Sequence, residues 1–412
     1  MFQNSAFTSA LTPLNSALGR QSALLPLASP SSGFTFQWDP LAKVPVPSTD
    51  SFGPILSERA ETIGKHRVFL GVDYQFFQFN EIDGVSLKKL PVVLVQPDSA
   101  GGCSINAPDG PKNTGACGFI RDVIKTDNRV DLRIHESSTF ISFGITDRID
   151  VSAVIPIENV HMTAISNATI VNNSDSLAHT FDIQPGVCGK FSPAMICATH
   201  AFSNAKNASG IGDITLRVKG TAWKGQRAAV ALGGDVRFPT GDAQNFLGAG
   251  AFGLKPFVVW SYRSRISPHA FVGYESNGSS QIAGDVSIGS KARLPSQMLY
   301  SGGADVWITR TLTVAVDLVG QQVFQAQQLQ PTTFTERAAC LDPTCNTGLA
   351  DTASTDQHLV ASTRTFNITN ASMGMKVKPV SALLLTGNLL FRLNSGGLRA
   401  NVAPLIGVSY TF

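Results

Sequence analysis

From Arg67 onward the apolar residues recur with a period of two, in runs of about 10 to 14 residues that outlast the usual strand of about five or six. Long strands with alternating faces leave two architectures open. One is a membrane barrel, apolar outside and polar inside. The other is a sandwich that buries its apolar faces against a second sheet, and the alternation alone does not separate them. The connections do. The pattern predicts twelve strands, at approximately 67–79, 129–144, 148–162, 211–223, 226–238, 252–262, 265–276, 297–308, 311–325, 363–377, 380–394 and 399–412. Short links such as Thr146-Asp147-Arg148, Lys224-Gly225-Gln226, Arg263-Ser264, Thr309-Arg310 and Lys378-Pro379 alternate with long ones near 80–128, 163–210, 239–251, 277–296 and 326–362. An even strand count with short turns at one end and long loops at the other is the pattern of a bacterial barrel. The expected fold is therefore an all-β transmembrane antiparallel up-and-down barrel over residues 67–412. The short turns and both chain ends would be periplasmic, and the long loops extracellular.

Composition agrees. Charged residues are only 15% of the 412 residues while hydrophobics are 43%, with 37 Gly and 25 Phe, so the surface is not the charged surface of a soluble protein this size. The net charge of +3 without a basic run excludes a nucleic-acid partner. No stretch approaches the roughly 18 to 20 apolar residues of a spanning helix; Leu90 to Val95 is typical of the longest runs. The opening MFQNSAFTSALTPLNSALGRQSALLPLA lacks the regions of a secretory signal, so either a signal has been removed or the start is misplaced. Six cysteines fall as three close pairs, Cys103 with Cys117, Cys188 with Cys197 and Cys340 with Cys345, each in a long loop on the same side. That spacing suits local disulfide staples in an oxidising compartment; with no C-x-x-C and no histidine beside them, a metal site is not expected.

Parity separates the two faces. In the fourth strand Ile214, Leu216 and Val218 oppose Thr215, Arg217, Lys219 and Thr221; in the eleventh Leu383, Leu385, Leu389 and Phe391 oppose Thr386, Asn388, Arg392 and Asn394. The last strand puts Val402, Ile406, Val408, Tyr410 and the terminal Phe412 on one face. Tyr410 and Phe412 resemble the C-terminal signal read by the outer-membrane insertion machinery. Aromatic residues near strand ends, including Tyr74, Trp223, Trp260, Tyr262, Tyr300, Trp307 and Tyr410, suit interfacial girdles, while Phe77 and Phe79 are placed where an apolar ligand could enter.

Several segments resemble the outer-membrane family named after the MetA pathway of phenol degradation: S-F-G-P-I-L-S-E-R-A-E-T-I-G-K (51–65), F-Q-F-N-E-I-D-G (77–84), G-I-G-D-I-T-L-R-V-K (210–219) and R-F-P-T-G-D (237–242). A looser resemblance is to the long-chain fatty-acid and toluene channels, whose barrels have more strands and an N-terminal plug. The resemblance implies transport and carries over no catalytic residue.

Applied along whole strands, polar-in parity gives the lumen Asp73, Asp131, Arg133, His135, Asp150, Glu158, Arg217, Lys219, Asp235, Arg237, Lys255, Asp305, Asp317, Lys376 and Arg392. These groups either build a pathway selecting solutes by charge and size or pair to hold the wall, since charges inside a barrel must be solvated or paired. Arg133, Arg217, Lys219, Arg237, Lys255 and Arg392 would give a mild preference for anions or neutral compounds. With strands ~4.8 Å apart and tilted ~40°, twelve close into a cylinder roughly 24 Å across, which side chains nearly fill. Residues 1–66 form an extension, with Phe2, Phe7, Leu11, Leu14 and Leu18 at near-helical spacing. It is either a lumen plug or a periplasmic tail. Seven histidines without a G-x-S-x-G element give no support to catalysis, and no cofactor is implied. The functional expectation is an outer-membrane channel for passive uptake of small, apolar or aromatic compounds. Its partners would be membrane lipid, lipopolysaccharide and the solute. The rival is a barrel that displays stapled loops for adhesion or envelope structure.

Overall fold

A computed structural model of the chain describes residues 36–39, 44–47, 51–95, 123–171, 181, 198–284, 289–338, 352–380 and 382–412. All six cysteines and the apolar series Phe2 to Leu18 lie outside these residues. The barrel wall is twelve antiparallel strands: β1 (Val68–Ile82), β2 (Val123–Thr146), β3 (Ile149–Val171), β4 (Thr215–Lys224), β5 (Ala228–Arg237), β6 (Gly253–Tyr262), β7 (Ile266–Asn277), β8 (Gln297–Thr309), β9 (Leu312–Ala338), β10 (Thr352–Val380), β11 (Leu383–Arg392) and β12 (Val402–Thr411). Each pairs with its neighbours in chain order, and β1 closes the cylinder by pairing with β12 (Val72 opposite Val408) and with β2 (Val72 opposite Thr139). At the height of the belt the described residues leave no ladder edge in the wall, which lipid requires because it offers no hydrogen bonds. The twelve strands predicted from the periodicity are the twelve observed.

The outward positions form an apolar belt: Leu70 and Val72 on β1, Leu216 and Val218 on β4, Val258 on β6, Val316 and Leu318 on β9, Ile406 and Val408 on β12, all exposed. Trp223, Trp260, Tyr410 and Phe412 border it at the short-turn end, and Tyr74 and Tyr274 stand on its other side, toward the loop end. Lumenal positions at the same heights are buried, many of them polar, with apolar groups such as Phe140, Val154, Phe257 and Leu405 packed among them.

The wall does not stop where the belt does. β2 and β3 pair along their whole lengths from Thr146–Ile149 up to Val123–Val171, and β9 with β10 from Leu312–Val377 up to Ala338–Thr352. Thr199–Ile211 adds to the upper half of β3, and Leu90–Val95 to the top of β2. The long connections expected at 163–210 and 326–362 are thus partly strand. Alternation conceals this because Thr199–Ile211 (THAFSNAKNASGI) stands clear of lipid and has no apolar face to declare.

Above the belt the parity inverts. Val130, Leu132 and Ile134 of β2 point inward into an apolar cluster with Phe77, Phe79, Ile82, Leu87, Leu90 and Leu398. Asp131, Arg133 and His135 consequently lie on the outer face, not in the lumen. Arg133 Nη2 meets Asp131 Oδ2 at 2.7 Å, both half exposed, and His135 Nδ1 is 2.7 Å from the Tyr74 hydroxyl. The physical reason is the change of solvent: beyond the hydrocarbon, water is outside and the interior becomes the dry side. The barrel is therefore closed at its loop end by an apolar cap.

Since Val316 sits about midway along the lipid-facing part of β9, Val316→Arg should destabilise the barrel in bilayers by about 2–4 kcal/mol. The folded fraction in a urea titration of the reconstituted protein measures it.

Candidate functional site

The lumen is occupied from the short-turn end by residues Ser51–Gly64, nearly all of them buried. This inner segment has no regular structure of its own, so its backbone groups must find partners in the wall. The wall provides them. Lys376 of β10 donates from Nζ to the carbonyls of Phe52 (3.1 Å), Gly53 (3.0 Å) and Pro54. Lys219 of β4 donates to the carbonyls of Arg59 and Glu61, both at 2.9 Å, and to Glu58 Oε1 at 3.3 Å. Both lysines are 1% exposed. The Phe52 amide donates to Thr313 Oγ1 (3.2 Å), the Ala60 amide to Ser261 Oγ (3.2 Å), the Ile63 amide to Asp150 Oδ2 (2.9 Å), and Thr221 donates to the Ala60 carbonyl (2.7 Å). At the entry Gly144 is obligatory: a Cβ there would lie 1.9 Å from the Gly64 carbonyl oxygen.

Charges bind the segment as well. Glu58 pairs with Arg217, which also holds Asp235 through Nε at 2.7 Å and Nη2 at 2.8 Å. Lys255 Nζ reaches the same Asp235 at 2.8 Å, and Arg237 Nη2 meets Glu275 Oε1 at 3.2 Å. The Arg217 guanidinium sits 5.0 Å above the Phe257 ring. Gly233 gives that ring its place, since a Cβ there would be 2.3 Å from Phe257 Cζ. On the other side His269 lies between Asp317 (Nε2 to Oδ1 2.5 Å) and Asp305 (Nδ1 to Oδ1 3.3 Å), and Asp305 accepts the Ser51 hydroxyl.

Between the inner segment and the cap is a chamber of about 240 Å³. Leu56, Ser57 and Glu58 form its floor and Phe77, Phe79, Leu398 and Ala400 its roof. Arg217, Asp235, Arg237, Lys255 and Glu275 line one arc, Glu136, Glu158 and Asp213 the adjoining one, and Phe271, Leu299, Val319, Ile368 and Leu390 contribute apolar surface. Of the residues assigned to the lumen from parity, Asp73, Asp150, Glu158, Arg217, Lys219, Asp235, Arg237, Lys255, Asp305, Asp317, Lys376 and Arg392 occupy inward positions, and Arg392 pairs with Glu81. Four of these reach the chamber on strands four to six: Arg217, Asp235, Arg237 and Lys255. The bases there meet carboxylates, so the expected surplus of positive charge is matched. Parity reasoning missed Glu136, hidden by the polar neighbours Ser137 and Ser138, along with His269 and Glu275.

The sequence motifs meet around this chamber. Asp213 of G-I-G-D accepts the amides of Gly241 (Oδ1, 3.1 Å) and Ala249 (Oδ2, 2.7 Å), and Thr240 Oγ1 donates to the Gly212 carbonyl at 2.7 Å, so G-I-G-D and R-F-P-T-G-D lock together. Gly241 allows it, since a Cβ there would be 1.7 Å from the Leu247 carbonyl oxygen. Asp83 of F-Q-F-N-E-I-D-G, at φ 51°, accepts the amides of Gly397 and Leu329, both at 2.8 Å, and ties the cap to β9 and to the connection between β11 and β12.

A closed antiparallel barrel with an apolar belt, a charged lumen and aromatic borders is a transmembrane β-barrel of the outer-membrane type. The model of the family described as "Putative MetA-pathway of phenol degradation" matches residues 141–344, a similarity the sequence motifs led us to expect. No curated protein matches the sequence. Among solved structures, an outer membrane channel from Pseudomonas putida F1 is similar at 10% identity, covering 86% of this chain and 99% of that one with a TM-score of 0.46. A Pseudomonas aeruginosa FadL homologue is similar at 11% identity (93% and 96% covered, TM-score 0.33), and so is the Ralstonia pickettii toluene transporter TbuX (11%, 85% and 90%, 0.29).

Replacing both Lys219 and Lys376 by Met strands the five carbonyls they hold, each left unsatisfied at about 1–3 kcal/mol. The inner segment should then leave its seat while the wall persists. Hydrogen exchange at residues 51–64 should rise by orders of magnitude, with strand amides of β4 and β10 unchanged.

Proposed function

We propose that the protein is an outer-membrane channel for the passive uptake of small, apolar or aromatic compounds, with the inner segment as its plug. The observation that carries this reading is the chamber, a mixed polar and apolar space between the inner segment and the apolar cap. A barrel built only to hold loops would be filled by side chains, as small barrels are. The family's description, a pathway of phenol degradation, supports aromatic solutes. In this reading the short turns and the plug are periplasmic, the cap and long hairpins face outward, and lipopolysaccharide surrounds the projecting strands. Residues 51–64, near the end of the 1–66 extension, then seal the lumen.

The chamber also defines the route. Solute entering from outside passes the cap formed by Phe77, Phe79 and Leu398, rests over Leu56 to Glu58, and leaves when the plug yields. Narrow lumens select by the groups lining them, and here every arc of the wall mixes charge with hydrocarbon. The rival reading, a display scaffold, draws on the long β9–β10 hairpin that rises past the belt; a sealed lumen under all conditions would favour it.

Vesicles with a lipopolysaccharide outer leaflet, reconstituted with the protein, should take up a labelled neutral aromatic faster than protein-free vesicles. Deletion of residues 51–64 should raise the conductance of planar bilayers several-fold. Uptake equal to that of protein-free vesicles, with no conductance in either protein, would sink the transport reading.

A further inference from the structure

The adjoining arc of the chamber differs from the arc of matched bases beside it. Glu136 of β2 and Glu158 of β3 are direct register partners, so their Cβ atoms stand about 4.5–5.5 Å apart on the inner face. They are 3% and 6% exposed, and Asp213 joins them in the lining at 6%. Glu136 accepts one bond, from the Ser138 hydroxyl at 2.8 Å, and Asp213 accepts two backbone amides. Among the described residues no Lys or Arg pairs with Glu136, Glu158 or Asp213. Glu158 Oε2 is buried in the chamber wall with no hydrogen-bond partner at all. The contrast with the neighbouring arc is direct. There, Arg217, Arg237 and Lys255 are each matched by a carboxylate of the wall or plug.

Buried polar groups are partnered as a rule, and a buried carboxylate without a donor is a costly exception. Two carboxylates side by side also repel unless something positive or donating lies between them. The apolar part of the chamber, from Phe77 and Phe79 overhead to Leu299 and Leu390 at the side, is continuous with this acidic arc. We propose that Glu136, Glu158 and Asp213 form a recognition subsite for the ammonium group of a small amphipathic amine, whose aromatic or aliphatic body lies against the apolar surface. The matched bases of the neighbouring arc do not compete for these carboxylates, because their charge is already taken up. The subsite rests on the reading of the chamber as a solute-binding space and names the solute class that space favours.

The test uses the full chain in detergent micelles and three ligands of one size: 2-phenylethylamine, 2-phenylethanol and phenylacetate. Titration calorimetry on the wild type should show the amine binding roughly tenfold or more tightly than the alcohol, the margin a charge-assisted hydrogen bond supplies in a buried site. Phenylacetate should bind least. Glu158→Gln should erase the margin between amine and alcohol while leaving the alcohol's affinity in place, and Glu136→Gln should shrink it. Gln is isosteric and uncharged, so far-UV circular dichroism should match the wild type. The wild-type ranking alone overturns the proposal if the alcohol or the acid equals the amine, or if nothing binds. A preference that survives Glu158→Gln overturns it too. Vesicle uptake of the neutral alcohol, run in parallel, separates the two failures: uptake without amine preference removes the subsite and keeps the channel, and no uptake of any compound removes the channel.

Discussion

Everything in this molecule depends on one strand, β1, finding a partner on each side. A sheet in lipid tolerates no open edge, because unpaired backbone amides and carbonyls there have no water to turn to. β1 closes on β12 and β2, and the resulting count of twelve sets the lumen's width. That width holds the irregular inner segment and leaves a chamber above it. The inner segment and the chamber are therefore consequences of closure, as is the burden of charge on the inner face: once apolar side chains are spent on the belt, alternation delivers polar ones to the lumen.

Those lumenal charges are the second constraint, and the inner segment answers it. A buried ammonium needs acceptors in number, and Lys219 and Lys376 are too far from bulk water to find them there. An irregular chain leaves its carbonyls free to turn, and Ser51–Gly64 aims five of them at the two lysines. Glu58 and Ser51 then complete networks around Arg217 and Asp305 that span wall and segment alike. Segment and wall are each under-satisfied without the other. This accounts for the motif at 51–65, which in a tail would need no fixed sequence.

Period-two runs made the wall legible, because twelve belt-facing rows must each be apolar to meet lipid. The candidate site was legible only where the same rule held. At β4 to β6 polar meant inward, and Arg217, Lys219, Asp235, Arg237 and Lys255 could be named in advance. At β2 the rule reversed within one strand, since its upper half leaves the membrane; Asp131, Arg133 and His135 were misplaced outside-in, and Glu136 was lost among them. Nothing local in H-E-S-S marks the height of the membrane surface. That height is set by the whole barrel, through Tyr74 and the other borders. The contacts of residues 51–64 were illegible for a related reason, since an irregular chain has no period and its partners lie up to 324 residues away.

The two closures differ in physical kind, which bears on how a solute could move between them. The cap is held by apolar packing among Phe77, Phe79, Leu132, Ile134 and Leu398, contacts without direction that can shift by rotamer changes and re-form around an apolar guest. The inner segment is held by directed bonds to buried charges, each expensive to leave unmade, so it would yield as a unit or not at all. In the proposed channel, a solute admitted by the soft closure would meet a hard one and come to rest between them. On that proposal the groups lining the chamber, rather than those at either mouth, would decide which molecules the barrel accepts.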